Sequence, residues 1–328
     1  MNLRPKILVT ADALGFFQQK FFGTLWTSEF DFEVLDINKT YDIKQCVIWI
    51  DQYDKGNWIQ PYRDAGYKII YDYLWDSNVY DPVEILGNVL KLRAKNWIWI
   101  CEYYMYNYFG YKNQIQTADT NYFMLMLMNL RRAHRSQALI SMEKFLSSSL
   151  YSYVSQGIML HDDFVRDDTN SIDDRFFNPQ WYSQTCFSMV LETSVDNQLF
   201  ISEKSFKPLA HRHPFLIYGT PGTLAHLHSL GFLTFDHIID ETYDSEPNTS
   251  VYSPNIHGDY ITSGNRLNRL VQLLDTLYQE FKSDRCLFAD SESQRRLDHN
   301  HQLFYDSALI NQMWQQEIVG VIKEFANA

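Results

Sequence analysis

Short apolar runs recur along the first hundred residues of this chain, and polar or helical stretches separate them. Strand-length runs that alternate with helical segments are typical of α/β proteins with a largely parallel sheet. We therefore predict a first α/β unit with this architecture. Its strands are expected at residues 6–10, 33–37, 46–50, 67–71 and 97–101.

Carboxylates follow four of these predicted strands, namely Asp12, Asp51, Asp72 and Glu102. Parallel sheets place function at the carboxyl ends of their strands, so each of these side chains is a catalytic candidate. A turn or helix N-cap role is the more frequent one for any single residue of this kind. Both interpretations stay open at this point.

A stretch rich in Tyr, Asn, Gln and Lys at residues 103–121 interrupts this pattern. We interpret it as the connection between two domains, residues 1–115 and 116–328. A length of 328 residues also favours two domains. The second domain is predicted to open with a strand at 122–128, and its last part carries helical apolar stripes that end in a C-terminal helix.

Three arginines, Arg131, Arg132 and Arg135, lie between that strand and a helix predicted to continue to about residue 146. Positive charge at a helix amino terminus opposes the helix dipole, so the arrangement requires a reason such as a bound anion. A solvated basic first turn is the alternative. The sequence does not choose between the two.

The segment LFISEKSFKPLAHRHPFLIYGTPG, residues 199–222, carries the clearest chemical pattern. It predicts a strand at 199–201, a short helix, a strand at 214–218 and a glycine turn. Ser202 is predicted to cap the helix, and Pro208 is expected to end it early.

Glu203 and Lys204 occupy the first turn of that predicted helix. A helix amino terminus favours phosphate, Lys204 adds a positive charge, and Glu203 can accept hydrogen bonds from ribose hydroxyls. The pattern therefore suits a nucleotide diphosphate. An ordinary helix cap with a solvated Glu-Lys pair is the alternative.

The order of strand, Ser-Glu-Lys, short helix, Pro-Phe strand and Gly-x-Pro turn resembles the donor-binding segment of the α1,3-fucosyltransferase family and of related viral and bacterial glycosyltransferase-like proteins. The resemblance runs from residue 186 to residue 235. It implies that Glu203 holds the ribose of a nucleotide sugar and Lys204 a phosphate. It also implies that one of the three arginines contacts the pyrophosphate, without fixing which one. We therefore take as donor-binding candidates Glu203, Lys204, Arg131, Arg132, Arg135, Ser202, Glu192 and Gly219.

The resemblance also implies a GT-B architecture, in which two Rossmann-like domains border a cleft and a C-terminal helix packs across. The implied reaction transfers a sugar from a nucleotide-diphosphate sugar to a glycan or another hydroxyl acceptor, with inversion and without metal. Glu102 is the first candidate for the base because it ends the last predicted strand before the cleft, and Asp12 is the second. A non-catalytic protein that keeps the fold and binds a glycan or a protein partner is the alternative.

The sequence contains no strict Asp-x-Asp, and the His-x-His pairs at 211–213 and 226–228 would point to different faces of a helix. No G-x-G-x-x-G follows a strand, which argues against a dinucleotide cofactor. We therefore predict no metal and no cofactor besides the donor substrate.

The formal net charge is −12 and no basic block occurs, so direct binding of nucleic acid is not expected. The four cysteines lie far apart without a C-x-x-C pair, which favours a reducing compartment. The longest apolar run, residues 123–128, is too short to span a bilayer, and the first residues lack a secretory pattern. We expect a cytoplasmic protein of viral or bacterial origin.

Overall fold

The computed structural model describes residues 4–9, 29–44, 46–51, 57–72, 83–92, 112, 120–158, 160, 178–195, 199, 201–246, 250–252, 260–262, 265–283 and 287–328. The candidate bases Asp12 and Glu102, the predicted strand at 97–101 and most of the predicted connection at 103–121 lie outside these residues. The chain forms two compact units. The first comprises Met1–Tyr106 with Ser307–Ala328, and the second comprises Asn107–Asp306.

The first unit contains a sheet of six described strands in the order β2-β1-β3-β4-β6-β5. Five of them run parallel, and β5 pairs antiparallel with β6. The predicted mixed α/β fold with a largely parallel sheet is therefore confirmed. The bounds are β1 Lys6–Val9, β2 Asp31–Val34, β3 Cys46–Asp51, β4 Lys68–Asp72, β5 Val83–Leu86 and β6 Val89–Leu92.

The central strand β3 is buried on both faces from Cys46 to Ile50, as expected for a parallel strand covered on both sides. A 3₁₀ turn at Asn57–Ile59 leads into helix α1, Gln60–Asp64, which has a proline near its start. The side chains of Ile59, Tyr67 and Ile69 join those of β1 and β3 in one apolar core.

One strand prediction in this unit was wrong in detail, and one hairpin was missed. The run at 33–37 forms a strand only up to Val34, because Asp36 accepts a hydrogen bond from the Asn38 amide at 2.9 Å and turns the chain. The β5–β6 hairpin was not predicted, although its two-residue turn begins with Gly87 at φ 61°. The Gly-Asn pair between two apolar runs was the available signal.

The second unit contains a four-stranded parallel sheet in the order β10-β9-β7-β8. The bounds are β7 Tyr122–Met128, β8 Leu150–Tyr153, β9 Thr185–Leu191 and β10 Phe215–Tyr218. All seven residues of β9 are buried, so this strand forms the centre of the core. A separate antiparallel pair joins β11, Ser250–Tyr252, to β12, Tyr260–Thr262.

Seven described α-helices belong to this unit. They are α2 Ala133–Ser141, α3 Glu143–Leu146, α4 Pro179–Ser183, α5 Glu203–Ala210, α6 Thr223–Ser229, α7 Asn265–Lys282 and α8 Ser291–Phe304. The helix predicted to continue to residue 146 is divided, because Met142 leaves helical geometry between α2 and α3. Short 3₁₀ turns occur at Val154–Gln156 and Glu241–Ser245.

The structure also corrects two expectations about the segment 199–222. Leu199 and Ile201 are not in a strand, and the strand that precedes α5 is β9. Pro208 does not end α5, which continues to Ala210. A proline removes one helical hydrogen bond, and the burial of Phe206 and Leu209 on either side of it offsets that loss.

The C-terminal segment belongs to the first unit. It consists of α9 Ser307–Trp314, a π-helical turn at Gln315–Val319 and α10 Gly320–Asn327. Lys68 Nζ donates to the Ala326 carbonyl at 2.9 Å, and Lys323 pairs with Glu29. Among the helices that the structure describes, none combines the length and apolar character that a bilayer-spanning segment needs.

Candidate functional site

The sheet of the second unit changes its direction of winding between β7 and β9. The chain passes from β7 outward to β8, returns to β9 on the other side of β7, and then continues outward to β10. In open parallel sheets, ligands bind outside the carboxyl ends of the strands at such a switch point. Residues 129–132 and 192–195 leave the sheet at this place.

Glu192 follows β9 directly, and its side chain is fully buried. Its Oε1 accepts hydrogen bonds from the Ser202 amide at 3.0 Å and the Ser205 hydroxyl at 2.5 Å. Its Oε2 accepts from the Thr193 amide at 3.0 Å and the Ser202 hydroxyl at 2.6 Å. These bonds satisfy the buried carboxylate and tie the end of β9 to the start of α5.

Ser202 caps α5, as predicted, because its Oγ accepts a hydrogen bond from the Lys204 amide at 3.3 Å. Glu203 and Lys204 occupy the first turn and form an ion pair, with side chains 19% and 18% exposed. Lys204 Nζ also lies 3.4 Å from the hydroxyls of Thr193 and Ser202. Both charged side chains are therefore largely buried rather than solvated.

The pKa of Glu203 reflects this environment. Burial is the largest influence and raises the pKa, but the positive charges of Lys204 and Lys207 oppose it and hold the pKa below its ordinary value. The Glu203 carboxylate is therefore ionised at neutral pH. An ionised carboxylate accepts hydrogen bonds and donates none, which suits the recognition of hydroxyl groups.

Arg135, in the first turn of α2, connects the ends of β7 and β9. Its Nη1 donates to the Leu130 carbonyl at 3.0 Å and its Nη2 to the Glu192 carbonyl at 3.1 Å. The His134 Nε2 lies 2.9 Å from the same Glu192 oxygen. The Arg135 side chain is buried, and its Nε has no hydrogen-bond partner among the described residues.

Arg132 lies at the N-cap position of α2 in extended conformation and is half-buried, whereas Arg131 is exposed. Burial lowers the pKa of Arg135, and the positive charge of Arg132 lowers it further. The negative charges of Glu192 and Glu203 act in the opposite direction and raise it. These charges therefore interact in one place. We call Arg132, Arg135, Glu192, Glu203 and Lys204 the switch-point cluster.

The switch-point cluster contains three cationic side chains and two carboxylates, which leaves one positive charge in excess. The carboxyl group of Glu192 is used within the protein, so the charges nearer the surface are those of Arg132, Glu203 and Lys204. Such a set attracts an anion and can accept hydroxyl hydrogen bonds beside it. The structure thus brings five of the eight predicted donor-binding residues together, with Ser202 adjoining them.

Gly219 follows β10 and packs against Glu192 of this cluster. A Cβ at this position would lie 3.1 Å from Glu192 Cγ and 3.1 Å from Thr223 Oγ1, which is closer than ordinary contact. Glycine is therefore needed here for the close approach of β10 to Glu192. Its carbonyl accepts a hydrogen bond from Arg266 Nη1.

Arg266 and Asp244 form a buried ion pair of 3.1 Å that was not predicted from the sequence. Arg266 also donates to the Tyr243 carbonyl at 2.9 Å and the Thr220 carbonyl at 3.1 Å. Asp244 Oδ2 accepts from the Leu224 amide at 2.9 Å at the start of α6. No local pattern identifies this pair, because the two residues are separated in sequence and meet only through packing.

The histidine pairs have structural partners. His211 and His213 are not both on a helix, contrary to the expectation from the sequence, since α5 ends at Ala210. His213 Nδ1 lies 2.8 Å from the Ser188 hydroxyl, and burial lowers its pKa to about 4. His228 Nε2 lies 2.6 Å from the Thr234 hydroxyl. Within the described part of the chain, no group of three or more His, Cys, Asp or Glu could hold a metal ion.

The catalytic candidates belong to the first unit. Asp12 and Glu102 lie outside the described residues, so their positions relative to the strands stay predictions. Asp51 and Asp72 are register partners at the carboxyl ends of β3 and β4. The backbone thus places two of the four candidate residues at neighbouring positions on one edge of the first sheet.

No protein-family model matches this chain, and a comparison with curated proteins finds no match. Among solved structures, the crystal structure of an α1,3-fucosyltransferase is similar, with a TM-score of 0.43 and 11% sequence identity. The similarity covers 93% of this chain and 82% of that chain. At this identity and TM-score, the similarity does not by itself indicate a function.

Proposed function

We propose that this protein is a glycosyltransferase that moves a sugar from a nucleotide-diphosphate sugar to a hydroxyl acceptor such as a glycan. The observation that carries the proposal is the switch-point cluster, where Arg132, Lys204 and Glu203 combine excess positive charge with an ionised carboxylate. A nucleotide sugar presents the matching chemistry, a diphosphate next to ribose hydroxyls. The resemblance of residues 186–235 to the fucosyltransferase donor segment agrees with this assignment.

In the proposed complex, Lys204 and Arg132 contact the diphosphate, and Glu203 accepts hydrogen bonds from the ribose. The bond between the anomeric carbon and the diphosphate oxygen breaks, and negative charge develops on the leaving nucleoside diphosphate. Positive groups in a partly buried site stabilise that charge more in the transition state than in the ground state.

The acceptor hydroxyl forms the new bond to the anomeric carbon and gives its proton to a carboxylate of the first unit. Glu102 is our first candidate for this base, and Asp12 is the second. Attack from the face opposite the leaving group inverts the anomeric centre. The cationic cluster performs the role that a divalent metal has in metal-dependent transferases, so we propose that the reaction needs no metal.

A thermal-shift screen with GDP, UDP, CDP, ADP and their common sugar conjugates tests the binding part of the proposal. One base series should raise the Tm of the wild type, because a ligand at one hundred times its Kd stabilises the fold by about 2.7 kcal/mol. Lys204→Ala should lose that shift, while Lys144→Ala, at an exposed position of the same unit, should keep it. A wild type that none of these nucleotides stabilises would contradict the proposal.

An assay of donor hydrolysis and transfer tests the catalytic part. Turnover should persist in EDTA, and Glu102→Gln or Asp12→Asn should lower turnover while the nucleotide still binds. A loss of turnover in EDTA that manganese or magnesium restores would show that a metal is required. Binding of a nucleotide sugar without any turnover would instead favour the non-catalytic alternative.

A further inference from the structure

Three elements around the switch-point cluster, β10, α2 and α5, are hydrogen-bonded to Glu192. Its backbone amide donates to the Tyr218 carbonyl of β10 at 3.0 Å. Its carbonyl accepts from Arg135 Nη2 of α2 at 3.1 Å. Its carboxylate accepts from the Ser202 and Ser205 groups at the start of α5. One residue therefore links the structures that present the cationic and acidic groups of the site.

The carboxylate of Glu192 has no remaining capacity for a ligand. An ionised carboxylate offers about four acceptor positions. Two backbone amides and two serine hydroxyls occupy them at 2.5–3.0 Å, and the side chain is fully buried. A contact with a donor hydroxyl would require one of these bonds to break.

We infer that Glu192 is a positioning residue, which holds the Ser202–Lys204 turn in place for nucleotide binding and does not contact the nucleotide itself. This inference rests on the proposed function, and it replaces the direct donor-binding role predicted for Glu192 from the sequence. The ligand chemistry is the diphosphate and ribose recognised by the first turn of α5.

The geometry of the bonds makes Glu192→Gln a sharp test. Each carboxylate oxygen accepts one backbone amide, Ser202 N on Oε1 and Thr193 N on Oε2. In Glu192→Gln, the NH2 group of the glutamine therefore points at a backbone N–H whichever way the amide is oriented, so two donors face each other. The direction of a backbone N–H is fixed by the chain and cannot change to relieve this contact. Serine hydroxyls can reorient, so the loss of one hydroxyl partner in Ser205→Ala is the milder change.

The binding experiment is isothermal titration of folded wild type, Glu192→Gln and Ser205→Ala, well below their Tm. The probes are the nucleoside diphosphate that best stabilises the wild type, its 2′,3′-dideoxy analogue and inorganic pyrophosphate. We expect Glu192→Gln to weaken binding of all three probes, on the order of 10- to 100-fold, because the diphosphate contact of Lys204 is common to them. Ser205→Ala should weaken all three less, by about threefold.

Three outcomes would overturn the inference. A loss limited to the probe with ribose hydroxyls would mean that Glu192 touches the ligand. Unchanged affinity with a lower free energy of unfolding would mean that its role is only structural. If Glu192→Gln does not fold, unchanged nucleotide affinity in Ser205→Ala would likewise mean that Glu192 has only a structural role.

Amide hydrogen exchange over residues 201–206 tests the positioning role without any ligand. We expect faster exchange in Glu192→Gln, because the Ser202 amide loses its acceptor or its fixed geometry. Unchanged exchange would overturn the inference even if the wild type bound no nucleotide. Faster exchange together with a wild type that binds none of the probes would mean that the proposed function fails while the structural role of Glu192 stands.

Discussion

At the scale of single residues, the candidate site is defined by Glu203 and Lys204, which pair in the first turn of α5 while both are more than four-fifths buried. Paired charges at this depth differ from a solvated surface pair, whose partners remain hydrated and interact weakly. Lys204 reaches the hydroxyls of Thr193 and Ser202 as well. Its position is therefore set by the cap of the helix and by the strand before it.

Lys204→Ala should weaken binding of the nucleoside diphosphate and should lower kcat further, because charge on the diphosphate grows as the glycosidic bond breaks. Glu203→Gln should mainly weaken binding, by up to about 1.5–3 kcal/mol for each charged hydrogen bond that it loses. Isothermal titration beside turnover assays separates the two effects. Unchanged nucleotide affinity in both folded variants would mean that the Ser-Glu-Lys turn only caps the helix and does not bind the nucleotide.

Glu241 is a half-buried carboxylate whose ionisation should make the stability of the fold depend on pH. It accepts hydrogen bonds from the Thr234 hydroxyl at 2.7 Å and the Phe235 amide at 3.0 Å, and burial raises its pKa to about 7 from an ordinary 4.5. Between these values, the folded protein keeps a proton that the unfolded chain has lost. The free energy of unfolding should therefore fall as pH rises through this window.

Glu241→Gln should remove the dependence of the free energy of unfolding on pH that the Glu241 carboxyl group causes. The glutamine oxygen can accept from the Phe235 amide, and its amide can donate to Thr234, whose hydroxyl then donates to His228. The free energy of unfolding of the variant, relative to that of the wild type, should increase by roughly 2.5 kcal/mol from pH 5 to pH 8. Urea unfolding at both pH values measures this gain, and Glu324→Gln, at an exposed position, serves as the control. An equal difference at both pH values would argue against a raised pKa.

At the scale of elements, the turn after β10 is held in place by α7. Arg266 donates to three backbone carbonyls, those of Gly219, Thr220 and Tyr243. It also pairs with Asp244 of the 3₁₀ turn Glu241–Ser245. Because Gly219 lies against Glu192, this arrangement also supports the switch-point cluster.

Arg266→Met should destabilise the fold by about 3–5 kcal/mol, because it removes the cationic partner of the buried Asp244 carboxylate and a donor to three backbone carbonyls. Arg269→Met on the same helix removes a partly exposed ion pair with Glu246 and should cost about 1 kcal/mol or less. Chemical denaturation of both variants provides the comparison. Similar losses at the two positions would contradict the buried role of Arg266.

At the scale of the whole molecule, the first unit is completed by the last segment of the chain. Ile318, Val319, Ile322 and Phe325 are buried there, and Glu29 accepts hydrogen bonds from Gln315 and Lys323. Residues from both ends of the sequence therefore form one compact body.

In a chain that ends at Asp306, the amides of the first unit should lose more of their protection against hydrogen exchange than those of the second unit. The deletion exposes apolar surface and removes the partners of Lys68 and Glu29. Hydrogen exchange of the amides in β1, β3 and β4, compared with those in β7, β9 and β10, measures the effect. Equal changes in both units would argue against this division of the chain, and Glu29→Gln in the full chain should show only a small effect.

Much of the fold followed from the sequence because the responsible interactions are local. The apolar run at 122–128 forms β7, and the Ser-Glu-Lys pattern forms a capped helix. Both depend on neighbours within a few residues, where side-chain type and spacing determine the backbone. For the same reason, the Gly-Asn turn of the β5–β6 hairpin was visible in the sequence and could have been predicted.

Only the tertiary structure decided which polar groups are buried and what they contact. Glu192 reads as a possible ligand contact in the sequence, but packing of β9 against β10 and α5 turns it inward. Arg266 pairs with Asp244, which is distant from it in the sequence. Pro208 lies inside a helix because the residues around it are buried. Burial depends on the sum of all packed elements, so local pattern could name the charged residues of this site but could not assign each one to the ligand or to the protein interior.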